Sequence, residues 1–334
     1  MNELRKDYVK NKWVSIASSL GWKPKDFPIM KVNTTVAPGA FCPFCEGNEA
    51  ITPPEIAAYR VEGSEPNGTG WIVRTIPNKF TAFDMDGELN QHEDGVLMSC
   101  YGLGKHEVIL ETPRHDVDFH QLSMENMVLT IAMLKERYND LTQDQRLKYI
   151  QIYKNRGMFG GASLGHSHTQ LIGLPFVPSE NEGLPLFYKM NGECFVCAYL
   201  KKELEMQERV IDENEHFVVL CPYASRFAYE TWIVPKRHTE HFGQLNQAEE
   251  KALAQLCKKV SQAIVTSTEN ASYNFMINSA PINSPYVPGY HWYMEFTPRL
   301  LVSHGFEISS GVYMNPTAPE IAAEALREVY QSIG

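Results

Sequence analysis

A chain of 334 residues, 43% apolar and 21% charged, has the composition of an ordinary globular protein and is long enough for one large or two ordinary domains. Its net charge of −10 speaks against nucleic acid as a partner, because a polyanion needs a basic footprint; a small phosphorylated substrate needs only a local cluster of donors. No apolar run approaches the ~18 residues of a membrane span, and the start Met1-Asn-Glu-Leu-Arg-Lys-Asp7 has no apolar core of a secretory signal, so no membrane partner and a cytoplasmic location are expected.

In chain order, Trp13 to Ala17 reads as a strand, followed by a loop to Pro24. Phe41-Cys42-Pro43-Phe44-Cys45 is a knuckle that sets two thiolates at one corner of a tetrahedral site. Residues 52–70 read mostly as loop, Trp71 to Ile76 as a strand, Pro77 to Phe80 as a turn, and 81–100 as an acidic excursion. Lys105 to Thr112 alternates as a strand and leads to Pro113-Arg114-His115. Met124, Met127, Val128, Ile131 and Leu134 recur at helical spacing within 120–146. Leu147 to Tyr153 is a strand, Lys154 to Gly157 a loop, and Gly161-Ala-Ser-Leu-Gly-His166-Ser-His168-Thr-Gln170 a glycine-rich turn running into a strand. Alternation along that strand would put His166, His168 and Gln170 on one face. Glycines let backbone N–H groups approach an anion closely, so imidazole beside such a cradle points to phosphoryl chemistry. The plain alternative is a strand with polar residues facing solvent.

Residues 175–190 read as a connector, and Cys194-Phe-Val-Cys197 opens a helix reaching Glu208. Strands follow at 217–221 and 229–234, a helix at 247–266, strands at 272–278 and 290–296, and a last helix at 318–332. Cys100, Cys221 and Cys257 read as small buried hydrophobes. His92, His106, His120, His216, His241 and His304 read as surface or hydrogen-bonded residues without a role.

The second half repeats the first. A Cys-x-x-Cys pair, strands ending near a histidine, a long helix and a His-x-(His/Tyr)-x-(Gln/Glu) strand occur twice, with 51 positions from His115 to His166 and 53 from His238 to His291. A repeat this long is a domain duplication, with halves at 1–178 and 179–334. Each half offers a Cys2His2 set: Cys42, Cys45, His115 and His166, and then Cys194, Cys197, His238 and His291. Such sets suit tetrahedral zinc and leave no open position, so both sites read as structural Zn2+. His168 has no twin, since Tyr293 stands at its place, and Gln170 corresponds to Glu295. If His166 binds metal, His168 is held beside a fixed neighbour, which favours a nucleophile.

These motifs resemble the galactose-1-phosphate uridylyltransferase family of the histidine-triad superfamily. The resemblance runs from Trp13-Val and Lys23-Pro24 through the Cys42 knuckle, Gly104-Lys-His-Glu-Val, Pro113-Arg-His115, Asn155-Arg-Gly157 and His166-Ser-His168-x-Gln170 to Gly305-Phe-Glu307 and Gly311-Val-Tyr-Met-Asn-Pro. It implies an α+β fold of two histidine-triad-like halves, each an antiparallel sheet with helices. It implies that His168 attacks the α-phosphorus of a nucleotide sugar, and that the nucleotidyl-histidine passes its group to a sugar 1-phosphate. By the same resemblance Gln170, Ser163 and the backbone at Gly161 would hold phosphoryl oxygens and Asn155 the diphosphate. Phe44, Ile51, Asn78 and Phe80 would line the nucleoside pocket, and Glu307 would bind the sugar; a homodimer is implied too. The chain departs from the family at Leu20 and Lys23, where relatives often carry arginines, and at Ser167, where the uridylyltransferases have proline. Ser167 and the Cys194/Cys197 pair are similar to the plant ADP-glucose phosphorylase branch. From the family resemblance as a whole, UDP-glucose–hexose-1-phosphate uridylyl transfer is expected, with adenylyl transfer to phosphate or a non-catalytic zinc-stabilised nucleotide binder as alternatives.

Overall fold

The computed structural model describes residues 3–16, 21–27, 41–84 and 86–333; Ala17 and Leu20 lie outside them. The strands and helices of the first half are β1 (Glu3–Asp7), β2 (Lys12–Ile16), β3 (Ala57–Arg60), β4 (Trp71–Pro77), β5 (His92–Asp94), β6 (Leu97–Ser99), β7 (Lys105–Leu110), α1 (Met124–Leu141), β8 (Tyr149–Arg156) and β9 (His168–Leu174). Those of the second are α2 (Gly183–Asn191), α3 (Phe195–Met206), β10 (Val210–Glu213), β11 (Phe217–Leu220), β12 (Thr231–Pro235), α4 (Gln247–Ser267), β13 (Tyr273–Asn278), β14 (Tyr293–Pro298), α5 (Gly305–Ser310), β15 (Tyr313–Asn315) and α6 (Pro319–Ser332).

Ten strands form one antiparallel sheet in the order β10-β11-β12-β14-β13-β8-β9-β7-β4-β3. Five strands come from each half, in the same internal order, and the halves meet where β13 pairs with β8, Tyr273 opposite Arg156 and Ile277 opposite Ile152. The α+β class and the duplicated, histidine-triad-like antiparallel halves are thus present. β1 and β2 form a smaller sheet, in which β2 pairs in parallel with β15 near the other end of the chain.

One face of the large sheet is covered by α1, α4 and α6. The buried positions Met127, Ile131, Leu134, Tyr138 and Leu141 of α1 follow the three-and-four spacing and share a core with Leu253, Cys257, Val260 and Ile264 of α4. Phe119 packs on Phe275 of the other half at a ring separation of 5.2 Å. The opposite face carries two smaller apolar clusters, Trp71, Ile76, Val108 and Leu110 in one half and Val218, Trp232 and Tyr293 in the other.

Four local expectations need correction. Residues 175–190 are not all connector, because α2 begins at Gly183; its Pro185 sits in the first turn, where a missing N–H costs little. β3 lies within the expected loop 52–70, where Ala57 to Arg60 gain partners from β4. β8 continues through Lys154, Asn155 and Arg156, where the Lys154 ammonium finds Glu111 and the Arg156 guanidinium finds Asp118. Cys221 and Cys257 are buried, but Cys100 is exposed, just beyond the exposed β5–β6 hairpin.

Candidate active site and paired metal clusters

Cys42, Cys45, His115 and His166 converge, with their ligand atoms all within 4.8 Å of one another, and so do Cys194, Cys197, His238 and His291. In the first cluster the Sγ–Nδ1 separations are 3.4 Å (Cys45–His115), 3.7 Å (Cys45–His166) and 3.8 Å (Cys42–His166). In the second they are 3.3 Å (Cys197–His238), 3.6 Å (Cys197–His291) and 3.9 Å (Cys194–His291). Tetrahedral zinc with ordinary bond lengths sets sulfur and nitrogen about 3.6 Å apart, so both clusters fit that ion.

The outer partners fit it too. The Nε2 of His166 donates to the Thr112 carbonyl at 2.7 Å, and that of His291 to the Pro235 carbonyl at 3.0 Å. Each bond leaves Nδ1 as the lone-pair atom facing the thiolates. Burial and the adjacent Cys42 push the Cys45 thiol up to about 11, while a hydrogen bond from Cys197 holds Cys194 down to about 3. In each cluster one thiol, Cys45 or Cys197, is raised beside its neighbour, a cost that a bound dication would remove.

His168 begins β9, two residues beyond His166 and buried at 6% exposure. Its Nδ1 donates to the His166 carbonyl at 2.7 Å, which directs the lone pair to Nε2. Burial, then the nearby Lys154 ammonium, holds the imidazole below its ordinary pKa and so neutral. Phe44 packs edge-on to the ring at 5.5 Å.

Gln170 follows on the same face. Its Oε1 accepts from His106 Nε2 at 2.8 Å and from the Tyr153 hydroxyl at 3.1 Å. The carbonyl end is thereby held, and the amide NH2 is the end free to donate. Asn78 joins the group through His106, and its Oδ1 accepts from the Phe80 N–H at 2.9 Å. His106 is thus a site neighbour that its sequence context did not mark: on β7 it shares a face with Val108, the residue opposite Gln170.

The loop between β8 and β9 is anchored by amides. Asn274 donates to the Gly160 carbonyl at 2.7 Å and to Asn155 Oδ1 at 2.8 Å, and Asn155 reaches the Gly161 carbonyl at 3.4 Å. Gly161 has φ +82°, a left-handed conformation that side chains resist. Ser163 on this loop is exposed, as are Ile51 and Phe80. Glu307 stands elsewhere: its carboxylate accepts from the His304 N–H at 2.8 Å and lines a cavity of about 340 Å³ with Trp22, Arg226 and Tyr313.

The second half lacks this chemistry. Tyr293 is buried with Val9 and Leu184 in an apolar cluster, and Glu295 is paired with Arg226 at 2.9 Å. The place that corresponds to His168 is thus packed with hydrophobic groups, and the place that corresponds to Gln170 is spent on an ion pair.

Residues 73–178 match the model of the galactose-1-phosphate uridyl transferase N-terminal domain, and residues 180–331 match that of the C-terminal domain. The chain is 34% identical to ADP-glucose phosphorylase of Arabidopsis thaliana over 98% of this chain and 93% of that protein. It is 29% identical to galactose-1-phosphate uridylyltransferase of Thermotoga maritima over 98% of both. A crystal structure of the Arabidopsis thaliana ADP-glucose phosphorylase with bound ADP-glucose superposes with a TM-score of 0.81 at 32% identity, over 98% of this chain and 99% of that one. The chain belongs to the galactose-1-phosphate uridylyltransferase family, a family of nucleotidyltransferases.

Proposed function

We propose that this chain moves a nucleoside monophosphate from a nucleotide sugar to a phosphate-bearing acceptor through a covalent bond to His168. The observation that carries the reading is the hydrogen bond from His168 Nδ1 to the His166 carbonyl, which leaves Nε2 as the nucleophilic atom. The Nε2 lone pair attacks the α-phosphorus, the Nε2–P bond forms, and the P–O bond to the sugar phosphate breaks with its electron pair leaving on the sugar 1-phosphate. The acceptor oxygen then displaces Nε2 in the reverse sense. Positioning and donors for the developing charge do most of the work in such transfers. Gln170 NH2, Ser163 and the backbone around Gly161 are the donors assigned to phosphoryl oxygens, with Asn155 toward the diphosphate. Phe44, Ile51, Asn78 and Phe80 take the nucleoside, and Glu307 takes the sugar, from a partner copy if the chain is a dimer.

Zn2+ in the two clusters would be structural. In the first it would fix His166, and through the His166 carbonyl the tautomer of His168. The halves are proposed to divide at residues 178 and 179, with the nucleophile in the first.

Two acceptor readings remain distinct in chemistry: uridylyl transfer to a hexose 1-phosphate, and adenylyl transfer to inorganic phosphate. Ser167 and the likeness to the Arabidopsis thaliana ADP-glucose phosphorylase support the second. UDP-glucose and ADP-glucose, each offered with galactose 1-phosphate or with phosphate, separate them by which pair releases glucose 1-phosphate. Release from ADP-glucose with phosphate is expected; turnover only of UDP-glucose with the sugar phosphate would reverse the choice, and no release from any pair would defeat the transferase reading.

A further inference from the structure

Beneath the strand that carries His168 lies a charged network with no part in holding metal. Lys154 of β8 is 1% exposed, and Glu111, just after β7, is fully buried. The Lys154 ammonium donates to Glu111 Oε2 at 2.7 Å, to Ser167 Oγ at 3.0 Å and to the His168 carbonyl at 2.9 Å. All three of its donors are therefore used. Glu111 in turn accepts from the Ser167 hydroxyl at 2.5 Å and from the Thr169 hydroxyl, and its own N–H donates to the Ser167 carbonyl at 3.3 Å. Three consecutive residues, 167 to 169, are gripped on the side away from the His168 imidazole.

The fold does not require this. Tyr153 pairs with Gln170 in the first half, and Met276 pairs with Glu295 in the second. One step further along, Lys154 and Thr169 correspond to Ile277 and Met294, which are buried in the main core. The half without a nucleophile fills the same place with an apolar pair. A buried ion pair gives no more stability than such packing, because desolvation offsets the Coulomb gain. What it adds is direction: ammonium, carboxylate and hydroxyls admit one arrangement, whereas methyl groups slide.

We infer that Lys154, Glu111, Ser167 and Thr169 are positioning residues for His168, a clamp that fixes where its Nε2 points. In-line attack on phosphorus tolerates little error in that direction. The inference rests on the covalent reading above, and it gives Ser167, between the two histidines, a defined task.

The test is single-turnover labelling of the full-length, metal-loaded chain with α-phosphate-labelled ADP-glucose and UDP-glucose, alongside equilibrium dialysis for affinity and metal analysis. Thr169→Val keeps the shape and removes the hydroxyl; it is expected to slow labelling about 10- to 100-fold with affinity within about twofold and metal unchanged. Thr169→Ser, which restores the hydroxyl, is expected to return the rate to within about threefold of the native chain. The double variant Glu111→Leu/Lys154→Met removes both charges of the network; it is expected to fold with full metal content and still to label slowly. Labelling at the native rate in Thr169→Val, or in a folded double variant, would overturn the inference, as would a loss that tracks affinity or metal content. If the double variant fails to fold, the Thr169 pair decides. Absence of label on the native chain with either nucleotide would instead defeat the covalent reading and the clamp with it.

Discussion

His168 and Gln170 owe their proposed roles to the atoms that hold their far sides. Gln170 has its carbonyl oxygen fixed by His106 and Tyr153, so its NH2 is the end left to donate, as the proposed contact with a phosphoryl oxygen requires. Removing both partners in His106→Leu/Tyr153→Phe lets the amide rotate; kcat/KM is expected to fall about 10- to 100-fold, and an unchanged value would remove Gln170 orientation from the account. Gly160 makes a second test. A Cβ there would stand 2.8 Å from the Tyr273 carbonyl, so Gly160→Ala must shift the loop. The expected outcome is a raised KM for the nucleotide sugar, with about 1–3 kcal/mol of lost stability in denaturant melts. The eight cysteines and histidines of the clusters were legible because duplication repeats them at matched spacing, and His168 stood out because Tyr293 replaces it in the second copy. His106 and Glu111 were not, because their relation to the site depends on strand pairs that bring residues more than fifty positions apart together.

At the scale of elements, the long helices were the readable part, whereas the short α2 was not. α1 and α4 show their buried faces in the spacing of Leu and Met, and α4 starts at an Asn246–Glu249 capping box. Asn246→Ala should cost about 1 kcal/mol, and Leu134→Ala, in the shared core, about 2–5 kcal/mol; urea melts measure both. A cost near zero for Leu134→Ala would contradict the packing of α1 against the sheet. Two strand segments that escaped notice, β3 and the end of β8, share a cause. β3 is short and built of Ala57-Ala-Tyr-Arg60, a weak strand former recruited by β4. The end of β8 carries Lys154 and Arg156, which look like loop residues until Glu111 and Asp118 are seen to neutralise them. Strand length here is set by tertiary partners, and no local pattern records that.

Across the whole molecule, the halves are joined by a shared sheet and by side chains that bridge them. Arg156 pairs with Asp118 at 2.6 Å in its own half and donates to the Ala271 carbonyl at 2.9 Å in the other. Burial alone would raise the Asp118 carboxyl, but Arg156 and Lys154 outweigh it and hold it below the ordinary value. Its stabilising contribution is therefore complete above the unfolded value of about 3.9 and is lost as pH falls through the lower folded one. Asp118→Asn should be less stable than the native chain at about pH 6, with the gap closing toward about pH 2; a gap that widened on acidification would contradict the sign. Metal analysis should find two zinc ions per chain, and one in Cys45→Ser.

His168 is proposed to carry the nucleotide during transfer. Incubating the native chain with nucleotide sugar labelled at the α-phosphate, denaturing it in base, where a phosphoramidate survives, and mapping the labelled peptide by mass spectrometry tests that claim directly. A nucleoside monophosphate is expected on His168 within the peptide that contains Ser167, and none in His168→Asn. Label on any other residue, or turnover of the sugar nucleotide with no labelled protein at any time, would contradict it.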